Sequence, residues 1–164
     1  MNAKSLRAAL AAAFVLVTAA ALYAVRDNER TLADGRVVLV HLAPVDPRSL
    51  MQGDYMALRY AIDNEILRSD GEGHYAHLAV DAEGRASLVG IGDRLPDDPA
   101  LVAMKLRSRD GRETIGPNAF FFQEGRAGDF SAAQWGEFRV DANGKALLTH
   151  LRGEDLVRLG ENRR

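Results

Sequence analysis

Between Arg7 and Arg26 the chain runs for eighteen residues, Ala8 to Val25, without a charge. A helix needs about twenty predominantly apolar residues, within a range of about 17–25, to cross the hydrocarbon core of a bilayer. A hydrophobic helix packed inside a soluble protein would carry polar positions at a 3.6-residue period, and here only Thr18 interrupts the run. A secretory signal has a shorter apolar region, about 7–15 residues, ahead of a small-x-small cleavage site. Lys4 and Arg7 supply the basic start of such a signal, and Ala19-Ala20-Ala21 could be cut, which places the alternative cleavage near Ala21. The run nevertheless continues through Leu22, Tyr23 and Val25 to a charged boundary at Arg26-Asp27-Asn28-Glu29-Arg30. Tyr23 suits an interfacial aromatic there. Residues 8–25 therefore predict an uncleaved transmembrane anchor, behind a short basic tail at 1–7 and ahead of a linker at 26–35.

Orientation follows less directly. Lys4 and Arg7 stand on one side of the run and Arg26, Arg30 and Arg36 on the other, so the positive-inside rule is nearly neutral. A short tail followed by one apolar run most often leaves the long domain outside, and that is the expected topology. The rest of the chain fits one domain by length. With 21 Lys and Arg against 23 Asp and Glu there is no basic footprint for nucleic acid. The chain has no cysteine, which removes disulfides, thiolate metal sites and a cysteine nucleophile.

From Thr31 onward, apolar residues come in short runs punctuated by turn residues. Arg36 to Ala43 is rich in Val and Leu and stops at Pro44, the pattern of a strand ended by a turn. Met56 to Ile62 alternates, with Met56, Leu58, Tyr60 and Ile62 on one face and Tyr55, Ala57, Arg59 and Ala61 on the other. His74 to Val80 and Arg85 to Ile91 flank Asp81-Ala82-Glu83-Gly84, and Phe138 to Val140 and Lys145 to Leu151 flank Asp141-Ala142-Asn143-Gly144. Both loops suit a type I turn next to a left-handed glycine. Leu101 to Arg107 and Phe120 to Phe122 complete about seven strands, and a short helix is expected at Ser131 to Trp135 with Asp129 or Ser131 as its N-cap. The expected fold is thus mostly β, a sandwich or small barrel over residues 36–152, followed by a polar C-terminal tail at 153–164. The two hairpins match closely: Val80-Asp81-Ala82-x-Gly84-x-Ala86-x-Leu88 recurs as Val140-Asp141-Ala142-x-Gly144-x-Ala146-x-Leu148. Shared turn chemistry accounts for this, with an old duplication as the other explanation.

The stretch from Pro44 to Tyr60 is denser in special residues than packing requires. Pro44 and Pro47 fix φ and bias Ala43 and Asp46 toward extended geometry, which makes a stiff loop. Gly53 is expected at positive φ, and Asp54 can then accept hydrogen bonds from backbone amides freed by the turn. Leu58 and Tyr60 fall on the buried face, and a tyrosine in a β corner commonly ties its hydroxyl to backbone. A functional reading places Asp46, Arg48, Asp54, Tyr55 and Arg59 on one surface as a recognition site, with the arginines pairing with the carboxylates or holding an acidic partner group.

The string Gly53-Asp54-Tyr55-x-x-Leu58-x-Tyr60, preceded by Pro44-x-Asp46-Pro47-Arg48, resembles the GDYXXLXY family, which is defined by its motif rather than by a reaction. Phe121-x-x-Glu124-Gly125 is similar to the family's second, weaker motif, but Phe120 stands where tyrosine is expected and Gln123 where proline is. The resemblance implies a bacterial, membrane-associated protein working beside polytopic membrane proteins. With the anchor, it places the chain in the inner membrane with a periplasmic domain. The recognition candidates are Asp46, Arg48, Gly53, Asp54, Tyr55, Leu58, Arg59, Tyr60 and Glu124.

Enzymatic patterns are thinner. Leu50-x-x-Gly53-Asp54 is similar to a piece of the first motif of membrane-tethered signal peptidases, whose serine lies five residues before the leucine. Here that position is Val45, and Ser49 is at the wrong offset. Lys105, if desolvated in a strand, could serve as the base of a serine-lysine dyad, and a dyad needs both members. His74-x-x-His77 has helical spacing on an expected strand, so its rings point to opposite faces, and His41 and His150 are isolated. No pattern for a cofactor or metal is present, and no phosphate loop. The expected function is a membrane-anchored accessory or binding module of the cell envelope, and the alternative is a tethered hydrolase that uses Lys105 with a serine or the Asp46 and Asp54 carboxylates.

Overall fold

The computed structural model describes residues 3–43, 55–69, 71–109 and 111–160. Its elements in chain order are α1 (Ala3–Asp34), β1 (Arg36–His41), β2 (Tyr55–Ala57), α2 (Ala61–Arg68), β3 (Tyr75–Val80), β4 (Ala86–Gly92), β5 (Val102–Lys105), β6 (Arg107–Arg109), β7 (Arg112–Thr114), β8 (Ala119–Phe121), a 3-10 turn (Ala127–Phe130), β9 (Trp135–Val140) and β10 (Ala146–Arg152). The body is mostly β, as the turn-punctuated pattern implies. Among the described residues it holds ten strands in four small antiparallel sheets, rather than about seven strands.

α1 is long and apolar enough to cross a membrane, and none of its most apolar window is buried against the protein. It does not stop at Val25. The helix continues to Asp34, so residues 26–34, expected as a linker, are its last turns. That end is clamped to the body: Lys145 pairs with Asp27, the buried Thr31 hydroxyl donates to the Asp27 carbonyl (3.1 Å) and to the Asp141 carboxylate (3.4 Å), and Arg139 Nη1 donates to the Gly35 carbonyl (3.0 Å). A charged run reads locally as a solvated boundary, and its docking partners lie more than a hundred residues away, which is why the continuation was not visible in the sequence.

The two matched hairpins organise the body. β3 and β4 form one with β5 added on the β3 side, and β9 and β10 form the other with β1 added on the β9 side. In each turn the aspartate carboxylate accepts two backbone amides, Asp81 from Glu83 (3.0 Å) and Arg85 (2.8 Å), Asp141 from Asn143 (2.8 Å) and Lys145 (2.9 Å). Gly84 at φ 88° and Gly144 at φ 79° close the turns from the left-handed region that only glycine enters freely. The turn glycines also link the sheets. The Leu39 amide of β1 donates to the Gly84 carbonyl (2.7 Å), and the Lys105 amide of β5 donates to the Gly144 carbonyl (2.8 Å). Each hairpin turn thus holds the third strand of the other sheet, a tertiary role beyond loop chemistry.

The core lies between these sheets. Val38 and Val40 of β1, Ala76 and Leu78 of β3, Met104 of β5, Ile115, Phe138 of β9 and Leu151 of β10 are buried together. Full burial of each large aliphatic or aromatic side chain contributes about 1.5–3 kcal/mol.

Three local expectations change. The strand Met56–Ile62 exists only at its start: β2 ends at Ala57, Tyr60 makes an isolated bridge with Leu42, and α2 begins at Ala61. The alternation still holds for burial, since Met56, Leu58, Tyr60 and Ile62 are all buried. Ile62 and Ile66 are the inward face of α2, an i, i+4 pair that a period-two reading cannot separate from a strand over so few residues. The helix expected at Ser131–Trp135 lies earlier, as the 3-10 turn Ala127–Phe130, and Trp135 opens β9. Nor do residues 153–160 hang free. Leu159 packs on the core, and its amide donates to the Leu151 carbonyl (2.8 Å).

Candidate functional site

Of the nine recognition candidates, Asp46, Arg48, Gly53 and Asp54 lie outside the described residues. So does Ser49. The other five fall into buried anchors and an outer surface.

Tyr60 is 1% exposed and is the N-cap residue of α2. Its hydroxyl donates to the Pro117 carbonyl (2.7 Å), and its ring packs on Phe138 with centroids 5.6 Å apart. Burial pushes the hydroxyl well above the usual tyrosine range; the Asp63 carboxylate adds to this and Arg107 opposes it. Leu58 is buried, and its amide donates to the Asn118 carbonyl (2.8 Å). The Arg59 carbonyl accepts the Ala43 amide (2.9 Å). Ala43 and Tyr55 flank the stretch 44–54, so Leu58, Arg59 and Tyr60 fix its two ends by backbone pairing and one buried phenol.

One turn further on, Asp63 accepts the Thr114 hydroxyl (2.8 Å) and the Ile115 amide (3.2 Å), tying α2 to β7. Burial raises the Asp63 carboxyl above its ordinary value, against the hydrogen bonds from Thr114, Ile115 and Tyr60.

Tyr55 belongs to the outer surface. It pairs in register with Phe121 across the two-stranded β2–β8 sheet, and the rings sit 5.9 Å apart. The signature and the second motif therefore meet at this pair. Their neighbours turn inward: Met56 is buried opposite Phe120, and Phe120 and Phe122 pack on Phe130 with centroids 5.4 and 5.1 Å apart. Phe121 faces solvent at 75% exposure, the most exposed large hydrophobic residue outside α1 among the described residues. Arg59 and Glu124 are exposed as well, and no ion pair joins either to a described residue.

The catalytic and ligating candidates do not gather. Lys105 is exposed rather than desolvated, with its ammonium 5.9 Å from the Tyr75 ring centroid. His74 contacts Asp93 (2.8 Å), His77 bonds the Arg94 carbonyl (2.8 Å), and His41 packs edge-on to Trp135. Among the described residues no group of three His, Cys, Asp or Glu side chains could hold a metal ion.

A buried charge cluster went unnoticed in the sequence. Glu137, on β9, is fully buried and accepts hydrogen bonds from Arg152 Nε (2.7 Å), Arg158 Nε (2.9 Å) and Arg158 Nη2 (2.7 Å). Burial alone would raise its pKa, but the hydrogen bonds and charges of Arg158 and Arg152 outweigh it and hold the carboxyl below its usual range. Among the described residues its bonds join β9 to the segment after β10 and fasten that segment to the sheet.

A family model described as GDYXXLXY protein matches residues 17–151. Neither the curated proteins nor the solved structures gave a match.

Proposed function

The chain belongs to the GDYXXLXY protein family, and from that membership we propose a membrane-anchored recognition module of the bacterial cell envelope. It is held by α1 in the inner membrane with its β-rich body on the periplasmic side. The observation that carries this is the clamped helix. α1 passes from its apolar stretch into the body without a break, and the Asp27–Lys145, Thr31–Asp141 and Arg139–Gly35 contacts fix its end to β9, β10 and their turn.

A rigid mount sets where the signature sits. β1 begins two residues after α1 and carries the chain away from the Asp141 turn, antiparallel to β9. Six strand residues span about 20 Å. Past that far end the chain enters the signature, whose described part carries the half-buried Tyr55 beside the exposed Phe121. Phe121, packed beside Tyr55 where the two motifs meet, supports a contact with an apolar surface of a second envelope protein, since continuous apolar surface left open to solvent marks interaction sites. The polytopic partner implied by the family is the expected class.

The test is site-specific photocrosslinking in intact cells. A photoreactive residue at Phe121 should give a discrete adduct, and one at Val89, which is also exposed, should not. Phe121→Glu should abolish rescue of a deletion strain, and also the adduct formed from a photoreactive residue placed at Tyr55. Full rescue by Phe121→Glu, from a chain that stays in the membrane fraction, would falsify the assignment of this surface.

A further inference from the structure

α1 leaves an open cleft of about 700 Å³ beside its last two turns. One wall is the helix face Asp27, Arg30, Thr31 and Asp34, which the i, i+3, i+4, i+7 spacing brings to one side. The other wall is the loop from Leu95 to Leu101. This loop is tied in place: Arg36 Nη1 reaches the Ala100 carbonyl (3.4 Å), and the Asp98 carboxylate accepts the Ala100 amide (2.9 Å).

Depth narrows what can occupy it. Asp27 to Asp34 lie two to nine residues past Val25, about 3–13 Å along the axis. The polar headgroup layer extends roughly 5–7 Å beyond the hydrocarbon core on each side. In an anchored chain the cleft therefore opens inside the headgroup layer at Asp27, meets its outer edge at Arg30 and carries Asp34 beyond it, so a headgroup bound there is drawn partly out of the layer. Its charges are of both signs. Asp27 is taken by Lys145, and Asp141 by the Thr31 hydroxyl and its own turn. Arg30 and Asp34 are exposed, with no partner among the described residues. Leu95, Pro96 and Pro99 add an apolar rim.

We propose that this cleft holds the headgroup of a zwitterionic phospholipid, its phosphate on Arg30 and Arg36 and its ammonium on Asp34 and Asp98. A purely anionic headgroup meets the two carboxylates without compensation. A free phosphate has neither the ammonium nor the apolar part to match the acidic and apolar walls. Toward the bilayer the same helix face continues through Tyr23 and Ala20, a narrow track along which an acyl chain can lie. The inference rests on the anchor part of the proposed function and is independent of the Tyr55–Phe121 surface.

The full chain is reconstituted in nanodiscs of mixed phosphatidylethanolamine and phosphatidylglycerol, released, and weighed by native mass spectrometry. The expected result is one retained phosphatidylethanolamine per chain, in at least fivefold preference over phosphatidylglycerol. Arg30→Ala should lower retention of both lipids, and Asp34→Asn should erase the preference. Both side chains are exposed, so melting curves of the variants should match the wild type. Equal retention of the two lipids by the wild type, or displacement of the bound lipid by millimolar inorganic phosphate, overturns the proposal. If the cellular protein proves to be cut near Ala21, the anchor reading falls and the cleft assignment with it. A membrane-retained chain without lipid preference sinks the cleft assignment alone.

Discussion

Arg158 donates to both carboxylate oxygens of Glu137, through Nε at 2.9 Å and Nη2 at 2.7 Å, across twenty-one residues of chain. A planar guanidinium matches a carboxylate in this forked way, and Arg152 adds a further charged donor at 2.7 Å. The pair joins the segment after β10 to the middle of the β1–β9–β10 sheet.

Removing the carboxylate leaves two partly buried guanidiniums without their counter-ion. Glu137→Ala should cost about 3–5 kcal/mol, as breaking a buried ion pair does. Urea denaturation at pH 7 measures it. The sign of the pH dependence follows from a folded pKa below the unfolded one. The stabilisation is complete above the ordinary glutamate value of about 4.3 and is lost as pH falls through the depressed folded value. The stability gap between wild type and Glu137→Ala should therefore shrink in acid.

Asp63 runs the other way. Burial raises its carboxyl, so the folded state keeps a proton that the unfolded chain has released. Its contribution is most favourable at low pH and declines as pH rises from about 3.9 through the raised folded value. Asp63→Asn removes that decline while leaving an acceptor for the Thr114 hydroxyl. The melting temperature of the variant, relative to wild type, should be higher at pH 7 than at pH 4. An unchanged difference would show that the carboxyl titrates normally.

Tyr60→Phe deletes one hydroxyl and strands the Pro117 carbonyl. The expected loss is about 1–2 kcal/mol, the typical penalty for an unmade buried hydrogen bond. Gly116→Ala attacks the same spot from outside: a Cβ there would lie 2.7 Å from the Tyr60 hydroxyl oxygen and 2.8 Å from the Phe138 ring. Overpacking of this kind costs about 1–3 kcal/mol. Both effects should appear in chemical denaturation, and the double variant should cost less than their sum, because the clash partly vanishes with the hydroxyl.

The two turn glycines should respond unequally to alanine. Both sit at positive φ, so each substitution carries backbone strain of about 1 kcal/mol. At Gly84 the added methyl meets the Leu39 side chain at 3.7 Å in ordinary van der Waals contact, whereas at Gly144 it meets the Tyr75 ring at 3.0 Å and the Ala103 carbonyl at 3.3 Å. Gly144→Ala should be the more destabilising of the two by thermal melting. Equal losses would mean that Tyr75 yields without cost.

Local chemistry made part of this legible in advance. The apolar run of α1, the two Asp-to-Gly turns and the burial alternation from Met56 to Ile62 follow from neighbours in sequence, and the structure has all three. What escaped depends on distant partners. Residues 26–34 are helical in company with Asp141, Lys145 and Arg139. Ala61–Arg68 is helical with only two buried side chains as its signal, too few to tell a period of 3.6 from a period of two. Glu137 looks like any outward residue of a strand until Arg152 and Arg158 close over it. At the candidate site, the pairing of Tyr55 with Phe121 joins two motifs that the sequence holds far apart.

The crossed strands have a consequence for how the body assembles. β1 belongs to the sheet completed by the last two strands of the chain, and each turn glycine carbonyl is occupied by the opposite sheet. Expressed apart, the front and back of this protein would each lack a strand that only the other can lend. Cutting the polypeptide in the turn after β6 should yield two fragments whose β-rich parts are unstable alone and regain a common fold on mixing.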